Sequence, residues 1–114
     1  MKNILVPIGT SPEAHETLQY AVDFATEFSS KVFVMEVFNV KGTGAGTLAN
    51  LQEKVGESSR EHLKKVIDKV DAKGVEIKIA TYNGDLIDGL VSIDEELGID
   101  LIIISPRSND IKEE

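Results

Sequence analysis

Four short strand-like runs alternate with three segments of helical periodicity, and this alternation narrows the available folds more than any other feature. Asn3 to Ile8 (NILVPI), Lys31 to Phe38 (KVFVMEVF) and Asp100 to Ile104 (DLIII) are short and almost continuously apolar. Runs of that kind fit strands covered on both faces. Val75, Ile77 and Ile79 alternate with Glu76, Lys78 and Ala80, so that strand has one wetter face and belongs at an edge. The order β-α-β-α-β-α-β implies right-handed crossovers and an open parallel sheet with helices on both faces, an α/β fold.

The helices between these strands carry their own start and stop signals. Ser11 is a favoured N-cap, Pro12 suits a first helical position and Glu13 complements the positive helix end. Leu18, Ala21, Val22, Ala25 and Phe28 then recur at helical spacing, predicting a first helix over about residues 12–29. Leu48, Leu51, Val55, Leu63, Val66, Ile67 and Val70 trace a long second helix ending near Lys73 and Gly74. Gly56, Ser58 and Ser59 weaken its middle and mark a place for a break. Asn83, Gly84 and Asp85 form a turn before a third helix marked by Leu86, Leu90, Ile93 and Leu97, which stops at Gly98.

At 114 residues the chain has room for one domain, 1–114, and its 41% hydrophobic content is that of a folded protein. A net charge of −8 opposes nucleic acid and anionic membranes as main partners. The absence of cysteine excludes disulfides, thiolate metal sites and cysteine nucleophiles. No run approaches the ~20 apolar residues of a membrane span, and the N-terminal apolar segment is too short for a secretory signal. The expectation is a soluble, intracellular protein.

Isolated chemistry-bearing residues have simpler explanations. The stretch Gly42-Thr43-Gly44-Ala45-Gly46 lacks the Lys-Ser/Thr of a P-loop and the spacing of a dinucleotide fingerprint, so it is expected to be a connector. His15 and His62 have no second ligand at metal spacing and are expected at the surface. Asp94, Glu95 and Glu96 fit a solvated helix face, and Asp85, three residues before Asp88, fits helix-start chemistry. Ser11 has no partnering base, and its capping role suffices. No catalytic constellation is visible.

One feature is out of balance. The fourth strand is among the most apolar segments, yet only ten residues follow it, and Ile111 is almost their only apolar member. An apolar strand at an open edge invites pairing with another chain. The expectation is a truncated domain, the N-terminal part of a longer chain, with a partner chain or the tail folded back over the strand as the alternatives.

The stretch Lys2 to Ala25 (KNILVPIGTSPEAHETLQYAVDFA) resembles the opening of a universal stress protein, and the resemblance continues through KVFVMEVF and GVEIKIATYNGDLIDGLVSIDEELGIDLIIIS. It implies the universal-stress-protein/adenine-nucleotide-hydrolase-like fold, with strand order 3-2-1-4-5 and the fifth strand missing here. It also implies a cytoplasmic stress-response protein, often a homodimer or one of two tandem domains. In nucleotide-binding members the site lies where strand order reverses, between strands 1 and 4. The matching positions are Pro7, Ile8, Gly9 and Thr10 after strand 1, Val37 near the end of strand 2, and Ser105, Arg107 and Ser108 after strand 4. The cofactor so implied is ATP or another adenine nucleotide.

The chain departs from that pattern at three points. Gly9 stands where the family commonly has aspartate, and Ser105 and Ser108 stand where its phosphate loop has glycines. A Cβ at those two positions crowds a phosphate, and Pro106 removes an amide donor. The resemblance therefore implies a non-enzymatic binding or regulatory module with a degenerate adenine-nucleotide site. The alternatives are a nucleotide-binding protein with weak ATP hydrolysis, for which Arg107 would hold a phosphate, and a structural dimerisation domain with a dead site.

Overall fold

The computed structural model describes residues 1–9, 12–40 and 45–104, with the side chains of all but 45–50. The elements run β1 (Asn3–Pro7), α1 (Ala14–Phe28), β2 (Lys31–Phe38), α2 (Ala45–Asp68), β3 (Ile77–Asn83), α3 (Leu86–Leu97) and β4 (Leu101–Ile102). All strand pairs are parallel and the sheet order is β3-β2-β1-β4, as the alternation and the resemblance predict. No fifth strand is seen among the described residues.

The two-residue side-chain period explains the continuous apolar runs. Ile4, Val6, Ile8, Val32 and Val34 point into a cluster with Leu18, Ala21, Val22 and Ala25 of α1 and Leu63 and Val66 of α2. Their neighbours Leu5, Phe33 and Met35 point the other way, into a smaller cluster with Ile93 of α3. Both faces of β1 and β2 are therefore covered. Each fully buried Leu or Ile contributes roughly 1.5–3 kcal/mol relative to exposure. The expected edge position of β3 is observed, although the strand begins at Ile77 and runs on to Asn83.

Several local expectations are corrected. Helix α1 starts at Ala14. Pro12 and Glu13 form the preceding turn, and the Glu13 carbonyl accepts the first helical N–H, from Glu16 at 2.9 Å. Ser11 lies outside the described residues. Phe28 is not core but 49% exposed. Helix α2 starts within the expected connector, at Ala45, and residues 41–44 are outside the described set. It does not break at Gly56, Ser58 or Ser59, because Gly56 and Ser59 face β2: a Cβ on Gly56 would lie 3.6 Å from the Phe38 ring, and the Ser59 hydroxyl donates to Glu36 at 2.8 Å. It ends at Asp68, short of Gly74. There Lys69 and Val70 donate to the carbonyls three residues back, and the side chain of Gln19 receives the N–H of Asp71 at 2.9 Å.

Helix α3 follows its signals. The N–H of Asp88 donates to the Asp85 carboxylate at 2.8 Å, and Gly98 closes the helix in the left-handed region at φ 71°. Asp94, Glu95 and Glu96 are exposed, and Asp94 also accepts the N–H of Ile99. His62 is only partly exposed: its Nδ1 lies 3.0 Å from Oε1 of Glu36, a partner on another element that helix periodicity alone does not indicate.

Candidate functional site

The site is expected between strands 1 and 4, where the backbone pairing of β1 alternates between its two neighbours. In β1 the odd-numbered residues direct their polar groups toward β4. Asp100 N–H donates to the Asn3 carbonyl and Ile103 N–H to the Leu5 carbonyl, both at 2.9 Å. Ile8, an even-numbered residue, instead donates to Met35 of β2 at 2.8 Å. Pro7 is the next odd residue, and proline has no N–H to give. Among the described residues the β1–β4 register accordingly holds at Ile4↔Leu101 and Leu5↔Ile102 alone. Strand 4, expected to run from Asp100 to Ile104, is limited to Leu101–Ile102. Among the described residues the two strands cease to pair after Leu5 and Ile102, at the point where strand order reverses and an open α/β sheet offers its crevice.

Around that point Pro7 is half-buried and Ile8 is buried in the α1/α2 cluster. Gly9 is exposed, and a Cβ built on it would meet nothing within 4 Å. Val37 lies near the end of β2 and packs against the cluster on the α3 side. Ile8 and Val37 thus point to opposite faces of the sheet, and Gly9 opens to solvent above it. Thr10, Ser105, Pro106, Arg107 and Ser108 lie outside the described residues. Beside β2, the Val40 N–H donates to the Asn83 side chain at 3.1 Å and the Gly84 N–H to the Phe38 carbonyl at 2.7 Å, tying the β2 and β3 ends together.

The opposite end of the sheet is held by polar contacts the sequence did not disclose. Asp100 accepts the backbone N–H groups of Lys2 and Asn3 at 2.8 and 2.9 Å, and these bonds hold its carboxyl below the ordinary carboxylate range. The Asn3 amide donates to the carbonyls of Leu97 and Gly98 at 3.0 Å each. Lys73 lies 2.8 Å from Asp23; this hydrogen bond, with that of Gln19, lowers the Asp23 pKa, and the same contact raises that of Lys73. These are surface contacts that orient connections.

Two surface concavities are found elsewhere on the described residues. One, of about 410 Å³, runs between Leu90, Val91 and Asp94 of α3 and the β4 edge at Leu101 and Ile102. Another, of about 440 Å³, lies at the amino ends of β2 and β3, near Ser30, Lys31 and Lys73. Neither groove is lined by Pro7, Ile8, Gly9 or Val37, the described residues expected at the carboxyl strand ends. Among the described residues no group of three His, Cys, Asp or Glu is placed to hold a metal ion.

The universal stress protein family model matches residues 1–113. The chain belongs to the universal stress protein family. Solved structures agree on the fold of this universal stress protein. A family protein from Burkholderia pseudomallei is 20% identical with a TM-score of 0.73, the match covering 97% of this chain and 86% of the other. The hypothetical protein MJ0577, whose biochemical function was assigned from its structure, is 23% identical with a TM-score of 0.76, over 95% of this chain and 78% of the other. A universal stress protein in complex with cAMP is 17% identical with a TM-score of 0.66, over 89% of this chain and 69% of the other. No curated protein matches the chain.

Proposed function

We propose that this universal stress protein is a non-enzymatic, cytoplasmic stress-response module that binds or senses an adenine nucleotide at the β1/β4 strand ends. The observation carrying this reading is the end of the β1–β4 ladder at Pro7, which leaves Gly9 open at the topological switch point. The cAMP held by a protein of the same fold supports the ligand class. The absence of a membrane-length apolar helix among the described residues agrees with a soluble module. Gly9 in place of aspartate, and Ser105 and Ser108 in place of glycines, point to weak binding.

Isothermal titration of ATP with Mg²⁺ tests this, on the chain and on a version extended through any native downstream sequence. Saturable binding without phosphate release supports the module. Binding by the extended form alone assigns the phosphate loop to the added residues. Hydrolysis abolished by Arg107→Ala would replace the reading with an enzymatic one.

A second reading, a homodimerisation or tandem-pairing domain, is favoured by the open edge of β4. Ile102 and Ile104 are exposed there, the latter 58%, beside Val91 of α3. An apolar edge of this kind pairs readily with another strand. Nucleotide-independent self-association would support it.

A further inference from the structure

On α1, Tyr20, Phe24 and Phe28 recur every fourth residue, and their rings form a continuous tilted ladder with centroids 6.5 and 5.0 Å apart. Phe24 anchors the ladder by packing against the core, whereas Tyr20 is 61% and Phe28 49% exposed. At ~100° per residue, the ladder lies about 120° round the helix from Gln19 and Asp23, which bind Asp71 and Lys73 on the α2 side. Nothing among the described residues covers the outer rings.

The full charges that α1 itself carries beside the ladder have one sign. Residues Ala14–Phe28 contain Glu16, Asp23 and Glu27 and no lysine or arginine. Asp23 is occupied by Lys73, but Glu16 and Glu27 are exposed and have no ion-pair partner among the described residues. On the helical wheel both fall within ~40° of Tyr20. Glu27 also stands in the last turn, where the negative helix end disfavours a carboxylate and no basic residue offsets it. His15 is half-buried on the far side of the helix. Lys2 and Lys31 lie at the sheet end nearest Phe28, so an incoming cation finds the acidic surround at the Glu16–Tyr20 end.

We infer that the Tyr20–Phe24–Phe28 face of α1 is a docking surface for a basic amphipathic segment. Its apolar side chains lie along the rings, and its lysines or arginines reach Glu16 and Glu27 and the ring faces. Aromatic faces attract cations, and arginine in particular stacks on them. A second copy of the chain is disfavoured as occupant, since it would set acidic faces of a −8 protein against each other. An anionic lipid surface is disfavoured for the same reason.

The test is an amide NMR titration of the full chain with a synthetic Leu/Lys amphipathic helix, using a Leu/Glu helix of the same apolar pattern as control. The expected result is saturable shifts on α1 around Tyr20 and Phe28 with the basic peptide alone, weakening as salt rises. Tyr20→Ser with Phe28→Ser, both at exposed positions, should weaken binding at least tenfold with the spectrum otherwise unchanged. Glu16→Lys with Glu27→Lys should do the same without removing a ring. Equal binding of the acidic peptide, unchanged affinity in either double variant, no binding at all, or concentration-dependent shifts of α1 without peptide would each overturn the assignment.

Discussion

Gly89 of α3 lies so close to Met35 of β2 that a Cβ built on it would stand 2.7 Å from the methionine methyl carbon. Val37 at 3.0 Å and Tyr82 at 3.1 Å crowd the same Cβ, so moving the flexible end of the methionine alone does not clear it. Gly56 of α2 presents the opposite case, with the Phe38 ring at an ordinary 3.6 Å. Both glycines sit inside helices, where alanine is intrinsically better by ~1 kcal/mol. Gly89→Ala is expected to destabilise by about 1 kcal/mol net, because overpacking costs ~1–3 kcal/mol. Gly56→Ala is expected to stabilise by ~0.5–1 kcal/mol. Urea unfolding midpoints of the two variants should move in opposite directions.

Glu36 joins β2 to α2 through Ser59 and His62, with its side chain only 15% exposed. Glu36→Ala removes the acceptor of the Ser59 hydroxyl and should cost about 1–3 kcal/mol. Glu36→Gln keeps an oxygen in place and should cost less than half as much. Chemical denaturation of both separates a lost hydrogen bond from lost volume.

Asp100 supplies a pH dependence of defined sign. Its folded pKa is lowered from 3.8 by the Asn3 and Lys2 amides, so it stabilises the fold fully above its unfolded value. That contribution is lost as pH falls from about 3.8 through the lower folded value. Asp100→Asn should therefore destabilise at neutral pH and flatten the acid limb of the stability curve. Thermal melts from pH 7 to pH 2 check both, and a wild-type acid limb unchanged by the substitution would contradict the assignment.

Gly9→Asp restores the family's commoner residue at an open position. With nothing within 4 Å of the new Cβ, stability should change by no more than ~0.5 kcal/mol. If the β1/β4 strand ends hold a nucleotide, one added hydrogen bond should tighten adenine-nucleotide binding roughly 2- to 10-fold. Titration calorimetry beside the unsubstituted protein measures it.

Ile104→Lys places a charge just past β4, beside the edge that no further strand covers among the described residues. If that edge mediates self-association, sedimentation equilibrium should show a shift toward monomer, with the fold retained because Ile104 is largely exposed.

The elements themselves were legible because they rest on local periodicity, whereas the strand order was expected only from the family resemblance. Leu5 and Ile4 point to opposite faces of any strand, and a strand apolar at both positions needs helices on both sides. Leu86 to Leu97 announced its own bounds through Asp85 and Gly98. Pro7, Ile8, Gly9 and Val37 were expected at a site only through topology and family resemblance, and Thr10, Ser105, Arg107 and Ser108 lie outside the described residues. Phe28 fitted the apolar periodicity of α1, yet the helix is broader than the strip the sheet covers, and the residue lies on its flank.

By itself, then, the sequence determined the α/β alternation, the edge position of β3 and the ends of α3, since side-chain period and capping chemistry act over only a few residues. Tertiary structure alone decided what distant residues do to one another. Glu36 met Ser59 and His62 across the sheet–helix gap, Gly89 met Met35, and Gly56 became a packing position rather than a break. It also turned Pro7 into the residue that ends the β1–β4 ladder, because only the pairing of β1 with β4 assigns its missing N–H a direction.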